Sequence, residues 1–337
     1  MSATASIVDS ATAGESAVGA PARLRLSVVI VHYKTPGLLK ECLASVLPQM
    51  DVARDLVIVV DNASPDGSAR ELDYLNEVAG VRFIASEKNV GFAGANNLAI
   101  RAAGAEFYML LNPDTVMRPG AVGQMMEFAA RHPEAALVGP QLEYPDGTAQ
   151  LSAFGDATPV SELLRGANFG PLNKVLKKHQ VYGPIVSETK RTDWLAGACL
   201  LVRREVFDAV GLLDDRYFMY YEEADFCRRA RQAGFGCWYF PEAHVVHLVG
   251  QASGVTWQAK PLPGYWFESR HRYFRAHFGW LGVLAADVGY LIGCVFHDMR
   301  KLLTGKANRS AVPHEFRDLI RYEARHLFCG MPEPRHL

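Results

Sequence analysis

The side chains able to do chemistry fall into four groups: Asp61, Asn112-Pro113-Asp114, Glu222-Glu223-Ala224-Asp225 and His244-Val245-Val246-His247. Acids arranged this way suit two tasks. A hard divalent cation takes carboxylate oxygens together with substrate phosphate oxygens, and one well-placed Asp suffices when a pyrophosphate supplies the rest. A general base needs one acid held near others and near a reacting hydroxyl. Helical spacing puts Glu222 and Asp225 on roughly one face and Glu223 on another, so the three cannot share one job. A borderline ion such as Mn²⁺ accepts an imidazole beside carboxylates. The pattern points to a metal-bound, phosphate-bearing substrate and to proton transfer.

Each group also has a plainer reading. Asp61 begins a run of turn formers and could simply cap it. Asn112–Asp114 could end a strand. Asn89-x-Gly91-x-x-Gly94 is a poor dinucleotide fingerprint and reads equally as a tight packing turn. Asn96 and Asn97 could be caps or ligand contacts. The three acids make a favourable helix start. The two histidines, read as a loop, could be structural.

These residues need a scaffold. Leu26–Val31, Leu56–Val60, Val81–Ile84 and Glu106–Leu111 are apolar runs that read as buried parallel strands. Helical spacing separates them, with Thr35-Pro36 as N-cap and first helical residue. Further helices are expected near 68–78, from Ala95 to Ala103 after a glycine-rich turn, and near 119–131. The pattern predicts an α/β fold, a mostly parallel sheet with helices on both faces. Ligands of such sheets bind beyond the carboxyl ends of the strands, which is where Asp61 and Asp114 fall. Strands are expected at 136–139, at 193–202 with a glycine step, and at Cys237–Phe240, ended by Pro241. A helix is expected from Glu222 to Ala233. Residues 150–190 read as a mobile loop.

Composition bounds the function. The chain has 337 residues, 49% hydrophobic and 21% charged, with a net charge of −1. That balance argues against nucleic acid held by bulk charge. From residue 258 onward there are 12 Lys/Arg against 7 Asp/Glu. None of the six cysteines forms C-x-x-C, which suggests free thiols in a reducing, cytoplasmic setting. Residues 1–23 read as a disordered leader, 24–257 as the main domain and 258–337 as a helical extension. Trp280–Phe296 is largely apolar but short for a membrane span, so a buried helix and a helix lying on an anionic membrane both remain open.

The ordered motifs S-V-V-I-V-x-Y, V-D-N-A-S-x-D-G-S, N-x-G-F-A-G-A-N-N, L-L-N-P-D, W-L-A-G-A-C-L-L-V-R-R, F-M-Y-Y-E-E-A-D-F-C-R-R and V-V-H resemble a family 2 glycosyltransferase of the GT-A fold. The rhamnosyltransferase-like branch is most similar, over residues 26 to about 255. The resemblance implies that Asp61, His32 and Tyr33 hold the nucleotide, with Asn89, Gly91, Asn97 and Asn112 on the donor side. Asp114 would bind Mg²⁺ or Mn²⁺ where the family has D-x-D, with Asn112 replacing the first Asp. His247 would be a further metal ligand. Glu223, replacing an Asp, would be the catalytic base, with Glu222 beside it and Asp225 as competitor. Trp194 and Gly197 would shape the acceptor side. The implied reaction is inverting transfer of a sugar from a nucleotide diphosphate, with dTDP-rhamnose the expected donor and UDP-sugars a close variant. The implied acceptor is a glycan or a polyprenyl-diphosphate-linked glycan at the inner face of the membrane. A homodimer is left open, as is a catalytically dead glycan-binding scaffold.

Overall fold

The computed structural model describes residues 23–248, 261–305 and 314–329. The expected leader, apart from its last residue, and the expected boundary at 257/258 lie outside them. The strands are β1 (Leu24–His32), β2 (Asp55–Asp61), β3 (Val81–Ala85), β4 (Ala105–Leu111), β5 (Thr115–Met117), β6 (Ala135–Glu143), β7 (Ala153–Phe154), β8 (Lys190–Thr192), β9 (Trp194–Leu195), β10 (Cys199–Arg203) and β11 (Gly236–His247). The helices are α1 (Pro36–Val46), α2 (Ser68–Glu71), α3 (Gly91–Ala102), α4 (Ala121–Arg131), α5 (Pro159–Ala167), α6 (Gly170–Val175), α7 (Arg204–Val210), α8 (Glu222–Gln232), α9 (Gly264–Thr304) and α10 (Glu315–Cys329).

The main sheet runs β3-β2-β1-β4-β10-β6-β11-β5, with β8 also on β11. β3, β2, β1 and β4 are mutually parallel, as their apolar runs predict. Beyond β4 the sheet is mixed, because β10 is antiparallel to both β4 and β6. Strand alternation divides the core. Val28, Ile30, Val57, Val59 and Met109 face α1 and α4, whereas Val29, Val31, Ile58, Val60 and Leu110 face α3, α7 and α8.

Several expectations change. The expected helix at 68–78 is one turn, α2, followed by a 3₁₀ segment, Asp73–Glu77. The glycine-rich turn is the start of α3, so the helix begins four residues early. The expected strand at 193–202 breaks into β9 and β10 around Ala196–Ala198. The mobile loop is replaced by α5 and α6, and Thr158 caps α5 with a reciprocal bond to Ser161. β11 continues through Pro241 to His247, so His244 and His247 lie in a strand rather than a loop. A register shift between Phe240 and His244 leaves Pro241 outside the ladder, where its missing N–H costs nothing.

α5 and the C-terminal half of α9 touch backbone to backbone. A Cβ on Gly293 would sit 2.4 Å from the Leu163 carbonyl, and one on Gly166 2.3 Å from that of Tyr290. Arg270, fully buried, bonds Glu162 of α5 at 2.9 Å and Asp287 at 2.6 Å. Burial would raise the Glu162 carboxyl, but Arg165 and Arg270 hold it down at about 2. α9 bends at Gly279, whose φ of 70° interrupts the helix.

Candidate active site

The first part of the site lies at the ends of β1 and β2, which pair His32 with Asp61. His32 Nδ1 is 2.8 Å from Asp61 Oδ1. The Thr35 N–H donates to His32 Nε2 at 3.0 Å, so the proton of the neutral ring lies on Nδ1 and is given to Asp61. Asp61 Oδ2 accepts from the Ser64 N–H at 3.0 Å. Burial would raise the Asp61 carboxyl, but the bonds from His32 and Ser64 outweigh it and hold it below its usual range. Tyr33, half-buried, follows directly.

Beside this pair, Asn62 joins β2 to the start of α3. Its amide donates to Asn89 Oδ1 at 2.9 Å and to the Gly91 carbonyl at 3.2 Å, and its carbonyl accepts from Val90 N at 2.9 Å. Gly91, at φ 75°, lies against the Phe218 backbone, where a Cβ would come within 2.5 Å of the carbonyl oxygen. Thus Gly91 docks the loop that leads to α8, and Asn89 holds Gly91 by accepting from its N–H at 3.0 Å. Asn97 is committed to the same task, bonding the Leu213 carbonyl at 2.8 Å and its N–H at 3.2 Å.

The second part is set by a three-residue ladder. β5 pairs antiparallel with β11, with His247 opposite Thr115, and Leu248 N–H donates to the Asp114 carbonyl at 2.9 Å. This places His247 Nε2 3.6 Å from Asp114 Oδ1, with Asp114 buried. Burial lowers the His247 pKa and the Asp114 charge raises it, with a net lowering that leaves the ring neutral and able to donate a lone pair. The Asn112 Oδ1 oxygen is buried without a hydrogen-bond partner among the described residues. Among those residues no three His, Cys, Asp or Glu groups form a ready-made metal cage. One carboxylate, one imidazole and an unpaired amide oxygen fit Mn²⁺ or Mg²⁺ only if substrate oxygens complete the shell.

The third part is the start of α8. Tyr220 and Tyr221 both take left-handed backbone conformations, at φ 71° and 66°, immediately before Glu222. Strain of this kind marks a segment whose geometry the surroundings impose. Burial raises both the Glu222 and the Glu223 carboxyls, and the Glu223 charge pushes Glu222 further, well above the ordinary range. Backbone N–H groups at 197, 223 and 224 oppose the rise at Glu223. Gly197 lies against Glu223, with ordinary contact distances of 3.6–3.7 Å from where a Cβ would be. One residue on, the Ala198 carbonyl accepts from Asn112 N–H at 2.9 Å. The acid pair is thereby tied to the Asp114 loop.

Asp225 is turned elsewhere. It bonds Arg229 and His277 of α9, each at 2.7 Å. Trp194 stacks on Phe154, with ring centroids 4.0 Å apart, and its Nε1–H donates to the Gly155 carbonyl at 2.8 Å. Sequence reading missed Asn62, although it follows Asp61 directly, and it missed His277 and Phe154. Helical periodicity carries no sign of which helix will meet α8.

Five cysteines, Cys42, Cys199, Cys227, Cys237 and Cys294, are buried free thiols. Burial pushes the Cys42 thiol up to about 12, which leaves it unreactive.

The profile of Glycosyl transferase family 2 matches residues 27–211. An N-acetylglucosaminyl-diphospho-decaprenol L-rhamnosyltransferase of Mycobacterium tuberculosis is 31% identical over 247 residues, 68% of this chain and 78% of the relative. Among solved structures, the mannosyltransferase PcManGT of Pyrobaculum calidifontis, in complex with GDP-Man and Mn²⁺, is similar in fold. Its TM-score is 0.56 at 15% identity, covering 92% of this chain and 89% of that one. GalNAc-T7 with UDP, GalNAc and Mn²⁺ also gives a TM-score of 0.56, at 14% identity, covering 94% of this chain and 60% of that one.

Proposed function

This chain belongs to glycosyltransferase family 2, and from that premise we propose that it is an inverting rhamnosyltransferase. It would move L-rhamnose from dTDP-rhamnose to a polyprenyl-diphosphate-linked glycan at the cytoplasmic face of the membrane, in cell-envelope polysaccharide synthesis. The observation that carries the chemistry is the pair of buried Glu222 and half-buried Glu223, linked through Gly197 and Ala198 to the loop before Asp114, which His247 of β11 faces. The similarity to the mycobacterial enzyme supports the choice of sugar and acceptor.

Asp61, fixed by His32 and Ser64, presents a charged acceptor for the donor's base, with Tyr33 beside it. Asp114 and His247 would hold Mg²⁺ or Mn²⁺, whose charge offsets that of the donor diphosphate. Glu223, its proton affinity raised by burial, takes the proton of the acceptor hydroxyl, and its charge holds the neighbouring Glu222 carboxyl well above the ordinary range. The hydroxyl oxygen forms a bond to the anomeric carbon as the bond to the diphosphate oxygen breaks. A single displacement inverts that centre without a covalent intermediate. Asp225, held by Arg229 and His277, serves as a positioning residue for α8.

Calorimetric titration with dTDP, UDP and GDP, each with and without Mn²⁺ or Mg²⁺, tests the donor side. Metal-dependent binding of dTDP above the others is expected. A preference for UDP would change the donor, and no binding of any nucleotide by folded chain would favour the glycan-binding scaffold. Glu223→Gln is expected to keep nucleotide binding and to lose about 10²–10⁴-fold in turnover.

A further inference from the structure

The C-terminal half of α9 is two-faced. One face, with Gly289, Gly293 and Cys294, packs on α5 and the neighbouring core. The opposite face carries Leu281, Leu284, Val288, Ile292, Val295 and Met299, between 43% and 81% exposed. Their spacing of three and four residues makes one straight stripe, continued by Leu302 at 86% exposure. From Leu281 to Leu302 the stripe runs about 32 Å at the helical rise of about 1.5 Å per residue. Contiguous apolar surface of this extent marks an interaction site.

The surroundings of the stripe select its partner. Segment 168–187 carries Lys174, Lys177 and Lys178, all exposed, and no acid. It borders the C-terminal end of the stripe, since Phe169 meets Phe296 at 5.5 Å and Arg300 donates to the Asn168 carbonyl at 3.0 Å. Exposed Val175 adds an apolar residue among the lysines. An apolar face flanked by cations fits acyl chains below anionic headgroups. α9 is long and apolar enough to cross a bilayer by length and composition. Its other face, however, is locked to α5 by glycine contacts, and Asp287 is paired with buried Arg270. A helix so fastened lies in the membrane surface instead of threading it.

We propose that the exposed face of α9, with the lysines of segment 168–187, is a membrane-docking surface for anionic lipid. The helix sits flat and its stripe enters the headgroup–acyl boundary. The purpose of docking rests on the lipid-linked acceptor proposed above. The binding itself rests only on this surface.

The test is co-sedimentation of the full chain with phosphatidylcholine vesicles, with and without phosphatidylglycerol. Binding is expected to be strong with phosphatidylglycerol and weaker without it. Leu284→Glu with Ile292→Glu is expected to abolish it. Each of Lys174→Glu, Lys177→Glu and Lys178→Glu is expected to weaken binding to the anionic vesicles by about fivefold or more. Circular dichroism and nucleotide calorimetry, unchanged in these variants, separate this proposal from the function proposal. A chain that stays in the supernatant with both vesicle types overturns it. So does a stripe variant that sediments as well as the original. A dimer that the stripe variant dissociates, without vesicle binding, assigns the face to a second copy and overturns it too.

Discussion

Glu222 and Glu223 each keep one buried carboxylate oxygen without a hydrogen-bond partner among the described residues. Two such acids side by side destabilise the resting protein, and the sign follows from linkage. Their folded pKa values lie above the unfolded ones. Stability is therefore complete below the ordinary Glu value of about 4.3 and is lost as pH rises toward the raised folded values. Glu222→Gln removes one such charge. It is expected to stabilise the chain by about 0.5–2 kcal/mol at pH 7, with the gain vanishing near pH 4, measured by urea unfolding at both pH values. Turnover carried by Glu223 is expected to fall as pH drops through a value above that of free Glu, read from a pH–rate profile. Asp114→Asn tests the cation pair: it is expected to remove most of the Mn²⁺ dependence of nucleotide binding, read by calorimetry. At this scale the positions of Asp61, Asp114 and Glu223 were legible, because each follows a strand or begins a helix with an apolar face. The sequence could not separate Glu223 from Asp225. The structure engages Asp225 with Arg229 and with His277, which comes from a helix 52 positions away.

The elements were legible where periodicity alone decides them. β1, β2 and β4 are nearly unbroken apolar runs, and their parallel pairing follows. α5 escaped notice because its polar surroundings resemble a loop, although Thr158-Pro159 with Ser161 is a readable helix start. β11 was cut short at Pro241 because proline argues against a central strand unless a bulge removes it from the ladder. The α5–α9 junction is held by a charge network centred on Arg270. Replacing Arg270 with Met keeps most of the volume but leaves Asp287 without its partner and Glu162 with Arg165 alone. A loss of about 3 kcal/mol is expected, measured by urea denaturation. The same change is expected to leave nucleotide affinity intact.

As a whole, the molecule joins its C-terminal helices to the sheet domain more closely than the sequence division at 257/258 suggests. Tyr273 and Phe274 of α9 pack with Tyr217 and Ala224, beside the acid pair, and His277 bonds Asp225. His271 reaches Glu323 of α10 at 2.9 Å. Domains so interlocked unfold together. One calorimetric transition is expected, with equal calorimetric and van't Hoff enthalpies, and two resolved transitions would contradict it.

During synthesis the ribosome releases Asp114 long before His247, and the three-residue ladder between β5 and β11, with the Leu248 N–H bond to the Asp114 carbonyl, brings them together. On the function proposed above, a nascent chain holds the sequence of its four parallel strands before it holds both members of the cation pair. Unfinished chains would hold nucleotide weakly and without metal selectivity. Spending of activated sugar would then begin only once the last strand of the sheet has closed.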